Sequence, residues 1–512
     1  MEDAQSIDLA DIAESEDGKD LYPFQLEAIQ QISDNLRQLK DSHNIVFQLP
    51  TGGGKTVIFS EIARRYIKAT NKKVLILTHR IELCKQTSGM LEDFGVHNKV
   101  IDSKVKSLPD QSDYTCFVAM VETLNNRLQD EKINIDNIGL VIVDEAHYNS
   151  FRKLFKYFED VNILGVTATP LSSSIKLPMN ENYQELVVGE SIASLIKKGF
   201  LSKALTYSFN VRLDSLKIGI NGDYTVKSSE QLYGNHMMQE KLLRAYEEKA
   251  KGTKTLIFNN GISTSFGVYD TFKAAGYPIE HLDHNTGEQE RRDILKWFKE
   301  TPDAVITSVG ILTTGFDEPL VETIILNRAT RSLSLYHQMI GRGSRITPTK
   351  SEFTVIDLGN NLHRFGLWES PVDWYHIFQS PHQYYDDLKS DDAIERQFKY
   401  EMSDEIREQF AKSDHITFDV KAEYEKSISI GEHSKKVIQR SIDQHVKICV
   451  ENAGDMWDAL DLAKLLENDV QDRIRHYSYC TIKTTKNYLV WLEEDYTRRL
   501  NSQIRKAFAT ED

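Results

Sequence analysis

The sequence predicts an α/β protein with two tandem, doubly wound parallel-sheet domains and a separate helical domain after them. Three observations carry this. Short apolar, β-rich runs alternate with helical segments from Leu21 to about Gly165. The same alternation restarts at Lys254 and stops near Gly366, and beyond it charged helical stretches dominate, with little glycine or proline. Such alternation marks βαβ units, whose helices cover both faces of a parallel sheet.

Taken in order, the first twenty residues hold eight acidic side chains and one lysine, which reads as a solvated acidic tail over 1–20. An export signal would start basic. The first α/β domain, 21–190, draws its strands from NIVFQLP, KVLILTH, TCFVAM, LVIVDE and ILGVTATP. A connecting segment, 191–250, follows: ESIASLIKKGFLSKALTYSF has helical spacing and then a strand-like run. The second α/β domain, 251–366, takes KTLIFNN, PIEHLDH, AVITSV, ETIILN and FTVIDLG. The remainder, 367–512, reads as a helical accessory domain from stretches such as DDAIERQFKYEM and AGDMWDALDLAKLLENDVQDRIRHYSY. In HYSYCTIKTTKNYLVWLEEDYTRRLNSQIRK aromatic and basic residues interleave, a pattern that can bind single strands. Aromatics at helical spacing nevertheless favour core, as do KYFED and WYHIF.

At 512 residues the chain is too long for one ordinary core. Its longest apolar runs fall well short of the roughly 20 residues a bilayer span requires. The four cysteines, Cys84, Cys116, Cys449 and Cys480, lie far apart without zinc-ligand spacing, and a reducing cytoplasm fits. The net charge of −15 speaks against indiscriminate adhesion to polyanions. Field follows arrangement and not the sum, so a locally basic groove stays compatible with it.

Chemistry concentrates in three strings. LPTGGGKT follows a strand and opens a helix. Pro50, Thr51, Gly52, Gly53 and Gly54 can wrap a phosphate chain with backbone N–H groups, Lys55 can reach the β and γ phosphates, and Thr56 can offer a hydroxyl to Mg²⁺. Leu49 stands where the strict pattern wants a small residue. VIVDEAH is an apolar strand ending in two acids: Asp144 to hold Mg²⁺, and Glu145 to orient and deprotonate a water. QMIGRGSR puts Arg342 and Arg345 three residues apart on one helical face. Phosphoryl transfer spreads negative charge over equatorial oxygens, so both arginines are expected to enter the nucleotide cleft when the domains close.

LPTGGGKT, LTHRIEL, VDEAH, TATP, ILTTGFDEP and QMIGRGSR stand in the order of motifs I, Ia, II, III, V and VI of superfamily 2 helicases, and YPFQLEAI resembles the upstream glutamine motif. The resemblance covers roughly Leu21 to Gly366 and, within the superfamily, looks like the RadD-like and XPB-like branch of DNA ATPases. It implies two RecA-like domains of the P-loop NTPase kind, with ATP and Mg²⁺. By the same resemblance Gln25 reads the adenine, with Tyr22 or Phe24 covering its face. Gly315, Asp317 and Gln338 sense nucleotide across the cleft. His147, Thr167 and Thr169 couple hydrolysis to domain movement. Nucleic-acid contacts fall to Thr78, His79, Arg80, Thr123, Asn259, Asn260, Thr313 and Thr314, which position phosphates without reading sequence. The expected function is an ATP-driven helicase or translocase, acting on single-stranded or branched DNA. The alternatives are an ATP-gated binding or remodelling module that meets a protein partner through its helical domain, and an RNA helicase.

Overall fold

The computed structural model describes residues 20–38, 44–108, 111–313, 318–396, 402–413, 416–430, 432–481 and 485–509. All of the expected acidic tail except Asp20 lies outside them. The chain divides into two compact units, Met1–Ser390 and Asp391–Asp512.

The first unit holds two parallel sheets. One comprises β1 (Ile45–Gln48), β2 (Lys73–Thr78), β3 (Asn98–Ile101), β4 (Cys116–Met120), β5 (Ile138–Asp144), β6 (Asn162–Thr167) and β7 (Glu185–Val188), in the order β3-β4-β2-β5-β6-β1-β7. The other comprises β8 (Lys203–Ser208), β9 (Thr255–Asn259), β10 (Ile279–Leu282), β11 (Val305–Val309), β12 (Thr323–Asn327) and β13 (Glu352–Asp357), in the order β10-β11-β9-β12-β13-β8. Ile45–Phe47, Val74–Leu77 and Leu140–Val143 are fully buried. Helices cover both faces of a parallel sheet, so its strands read as continuous apolar runs. Because β6 lies between β5 and β1, the TATP turn after it falls between the glycine loop after β1 and the acidic pair ending β5. Ligands bind at this carboxyl edge in open α/β sheets.

The domain limits differ from expectation in two places. β8 pairs with β13 along its whole length, from Lys203 opposite Glu352 to Ser208 opposite Asp357. Tyr233, Leu242 and Tyr246 then share a core with Ile257, Val268 and Phe272. Most of the expected connecting segment is thus the opening of the second domain. Residues 367–390 likewise belong to the first unit. Trp368 packs edge-on against Phe353 of the second domain, whereas the helix Trp374–Gln379 returns to β7 and the turn Met179–Glu181 of the first. There Asn180 Nδ2 donates to the Gln379 carbonyl at 3.2 Å.

The second unit is helical. Helices Val420–Ser429, Lys435–Asn452, Met456–Leu465, Glu467–Cys480 and Lys486–Ala509 surround a core that includes Ile442, Cys449, Leu466, Tyr496 and Ile504. Tyr477 and Tyr496 are core, as helical spacing predicts, but Trp491 is half exposed. A polar chain threads this core: Ser441 Oγ meets Tyr496 OH at 2.7 Å, Tyr496 OH meets His445 Nδ1 at 2.9 Å, and His445 Nε2 meets Asp469 Oδ2 at 2.8 Å. Arg473 closes it with an ion pair to Asp469 at 2.7 Å. Among the described residues no helix is long and apolar enough to cross a membrane.

Candidate active site

The glycine loop turns through conformations that favour glycine. Gly54, which caps the helix Lys55–Thr70, has φ +86°, and a Cβ there would stand 2.5 Å from Gln25 Nε2. The Gln25 side chain is in turn held by Tyr22, whose N–H donates to Oε1 at 3.0 Å. Gly52, at φ +90°, lies so near the second domain that a Cβ would meet Leu201 Cδ2 at 2.8 Å and Ser344 Oγ at 2.9 Å. The loop is therefore pressed between the domains.

Behind it lies a buried cluster of charge. Burial pulls Lys55 below its ordinary range, against Glu145 and Asp144, which act to raise it. Burial and the adjacent Glu145 push Asp144 up to about 7. Burial acts the same way on Glu145, but Lys55, His147, His79 and Arg342 outweigh it and hold that carboxyl low. Glu145 has φ +52°, a left-handed conformation costly for a side chain of its type and characteristic of functional sites. Its Oε2 is buried without a hydrogen bond. Two crowded carboxylates, one with an orphaned oxygen, form a hard-oxygen donor set that fits Mg²⁺.

His147 Nδ1 meets Thr167 Oγ1 at 2.9 Å and stands 3.4 Å from Glu145 Oε2. Burial holds its pKa below the usual histidine range, so we read the Glu145 approach as a dipole contact and not an ion pair. Several side chains cross the domain cleft. Thr169 Oγ1 donates to Ser334 Oγ at 2.6 Å, Gln338 Nε2 lies 3.4 Å from His147 Nε2, and Arg345 donates to the Gly52 carbonyl at 3.2 Å. Arg342 donates to the Thr313 carbonyl at 3.1 Å through Nε, close enough to the site to act on both Lys55 and Glu145. Of the two arginines of QMIGRGSR, Arg345 thus contacts the glycine loop, and Arg342 is held on Thr313 near the same charge cluster.

The expected nucleic-acid residues do not form one surface. Thr78 is fully buried, its hydroxyl bonded to Arg80 O and Cys84 Sγ. Asn259 is buried between strands, donating to Thr307 Oγ1 and accepting from Asn327. Both are corrections, because a strand-end polar side chain satisfies its neighbours before it reaches solvent. Asn260 is held by Ser229 Oγ at 2.8 Å. Thr123 is half-buried in the first turn of the helix Val121–Gln129. Thr313 is buried, and Thr314, Gly315 and Asp317 lie outside the described residues. Arg80 spans the cleft, donating to the Gly310 and Ile311 carbonyls at 3.1 and 3.2 Å. Of the two aromatics expected near the adenine, Phe24 is buried and Tyr22 is exposed, packed on Phe200 at 4.5 Å. Phe200, Ser334 and Tyr148 also lie at the site, without any expectation from the sequence. Only Tyr148 carried a signal, its place directly after DEAH.

Comparisons with known proteins agree with this geometry. The family model "Type III restriction enzyme, res subunit" matches residues 18–172, and "Helicase conserved C-terminal domain" matches residues 237–347. The chain is 30% identical over 356 residues to IRC3 of Saccharomyces cerevisiae, assigned as an ATP-dependent helicase; the match covers 66% of this chain and 51% of that protein. It is 24% identical over 381 residues to the EcoAI type I restriction endonuclease subunit of Escherichia coli, covering 66% of this chain and 46% of that subunit. The chain therefore spans about half the length of these relatives. A fragment structure assigned as an HsdR subunit of a type I restriction enzyme from Vibrio vulnificus shares the fold, with TM-score 0.53 at 20% identity over 69% of this chain and 66% of that one. Two matched helicase-type domains, in tandem along the α/β unit, establish that the chain belongs to the superfamily 2 helicases.

Proposed function

We propose that the protein hydrolyses ATP at the seam between its two α/β domains and uses the cycle to move along DNA. The observation that carries this reading is the Arg345 guanidinium on the Gly52 carbonyl, which brings a cation of one domain onto the phosphate loop of the other. Lys55 and the loop N–H groups would grip the β and γ phosphates. Thr56 and Asp144 would hold Mg²⁺, which when bound neutralises charge on the phosphate oxygens. Glu145, kept ionised by its cationic neighbours, orients the attacking water and accepts its proton. Arg345 and Arg342 then stabilise the charge that spreads over the equatorial oxygens. Gln25 caps the adenine edge, with Tyr22 exposed beside it.

Thr169 to Ser334 and His147 to Gln338 tie the nucleotide side of the first domain to the helix Leu333–Ile340 of the second. Hydrolysis and product release would loosen these ties and let the domains part. A strand gripped alternately by the two domains is thereby moved in steps. The restriction-enzyme relatives favour DNA as the polymer.

The test is ATP turnover by the purified protein without polymer and with single-stranded DNA, forked DNA and RNA, alongside strand displacement on the fork. Stimulation by a DNA and its loss in Lys55→Ala are expected. Stimulation by RNA alone would favour the RNA reading, and stimulation by DNA without strand displacement would favour translocation without unwinding.

A further inference from the structure

Tyr148 has no part in the chemistry just described, yet it packs between two histidines beside the cleft. Two histidine rings pack on it: His79 with ring centroids 4.3 Å apart and a 39° tilt, and His147 at 4.3 Å and 37°. His147 belongs to the nucleotide side, bonded to Thr167 and close to Glu145. His79 stands immediately before Arg80 and is also near enough to Glu145 for each charge to act on the other. Both His79 ring nitrogens are buried and make no hydrogen bond. No hydrogen bond to either nitrogen anchors that ring, so packing against Tyr148 helps fix its place. Tyr148 shares a cavity wall with Gln338, the residue that also approaches His147 from the second domain. Tyr148, Arg80, Gln338, Ser334 and Thr313 line one interdomain cavity of about 310 Å³.

We infer that Tyr148 is a positioning residue: it transmits the binding of a strand near Arg80 to Glu145 and His147, and so governs how far a polymer stimulates ATP turnover. The inference rests on the translocase reading. A strand phosphate competes with the Gly310 and Ile311 carbonyls for the Arg80 guanidinium. When Arg80 shifts, the adjoining His79 ring must shift with its turn. Close-packed rings pass displacement on and do not absorb it, so Tyr148 moves against His147, and the ties of His147 to Glu145 and Gln338 change. The two arrangements of Arg80, bonded across the cleft or to a phosphate, are the two states that both sites bias.

The experiment compares Tyr148→Leu, which keeps an apolar side chain but removes the ring, with Tyr148→Phe, which keeps the ring. Basal turnover, KM for ATP, single-stranded DNA affinity and DNA-stimulated turnover are measured for each. In Tyr148→Leu the stimulation factor should fall about tenfold, an ordinary size for coupling between sites. Basal turnover, KM and strand affinity should stay within about twofold of wild type. Tyr148→Phe should retain most of the stimulation. Wild-type stimulation in Tyr148→Leu would overturn the inference. So would a proportional loss of basal turnover, which makes the residue part of the fold or the active site, or a loss of strand affinity large enough to explain the effect. A wild-type protein that hydrolyses ATP but ignores every polymer would overturn the translocase reading and this inference together, whereas normal wild-type stimulation with an indifferent Tyr148→Leu would overturn the inference alone.

Discussion

Arg345 reaches the phosphate loop at the Gly52 backbone oxygen, so its replacement is a test of geometry as well as charge. Arg345→Ala should lower kcat about 10³-fold, the low end of the range for an inserted arginine, with KM for ATP little changed. Arg345→Lys should not restore the rate, because an ammonium is a point charge without the planar fork of a guanidinium. Steady-state kinetics at saturating DNA would check both. At Gly54 the limits are steric. The left-handed backbone and the nearby Gln25 amide predict that Gly54→Ala costs about 1–2 kcal/mol of stability from the backbone alone, read by denaturant unfolding, and raises KM for ATP by displacing Gln25. Lys55, Asp144, Glu145 and Arg345, which the structure gathers at one cleft, were legible in the sequence, because phosphate chemistry demands fixed residue types at fixed spacing. It did not reveal which hydroxyls turn inward. Thr78 and Asn259 sit at strand ends like any polar contact, and only the packed neighbours show that their bonds are already made.

Among the elements, the helix Lys435–Asn452 carries a built-in sensitivity to acid. Burial, and then the nearby Arg473, lower His445 to about 4, against the raising effect of Asp469. In the unfolded chain the same ring titrates near 6.5. Protonation therefore favours the unfolded state: the stability from His445 is whole above about pH 6.5 and is lost as pH falls toward 4. Tyr496 and Ser441 are neutral partners in the chain, and Asp469, itself held low, loses its own contribution only at still lower pH. Hydrogen exchange of this helix, corrected for intrinsic rates, should show up to about 2 kcal/mol of weakening between pH 7.5 and 5, and His445→Gln should flatten that dependence. The helix Trp374–Gln379 supplies a second case. Trp374 is buried edge-on against His337, so Trp374→Ala should cost about 3–5 kcal/mol in unfolding of the first unit. Elements were legible where burial was complete. The strands of the two sheet centres announce themselves as unbroken apolar runs, whereas the edge strands β3 and β7 are four residues each, with partly exposed positions that carry no period. The start of the second domain was misplaced because helical spacing reports that a helix has an apolar face, not which sheet receives it.

Across the molecule, the α/β unit and the helical unit have separate hydrophobic cores. Calorimetry should resolve more than one unfolding transition. A nonhydrolysable ATP analogue with Mg²⁺ should raise only the transition of the α/β unit, by about 2.7 kcal/mol at a hundredfold excess over Kd. An equal rise of both transitions would contradict independent cores. The return of the chain near 367–374 to the first domain adds a mechanical limit. Polypeptide passes between the lobes twice, once on leaving β7 and again between Trp368 and Trp374. Six peptide steps pay out at most about 20 Å, so the paired crossings work as an axle with little slack, and any relative motion of the lobes becomes a rocking excursion whose sideways slip is checked by the backbone itself.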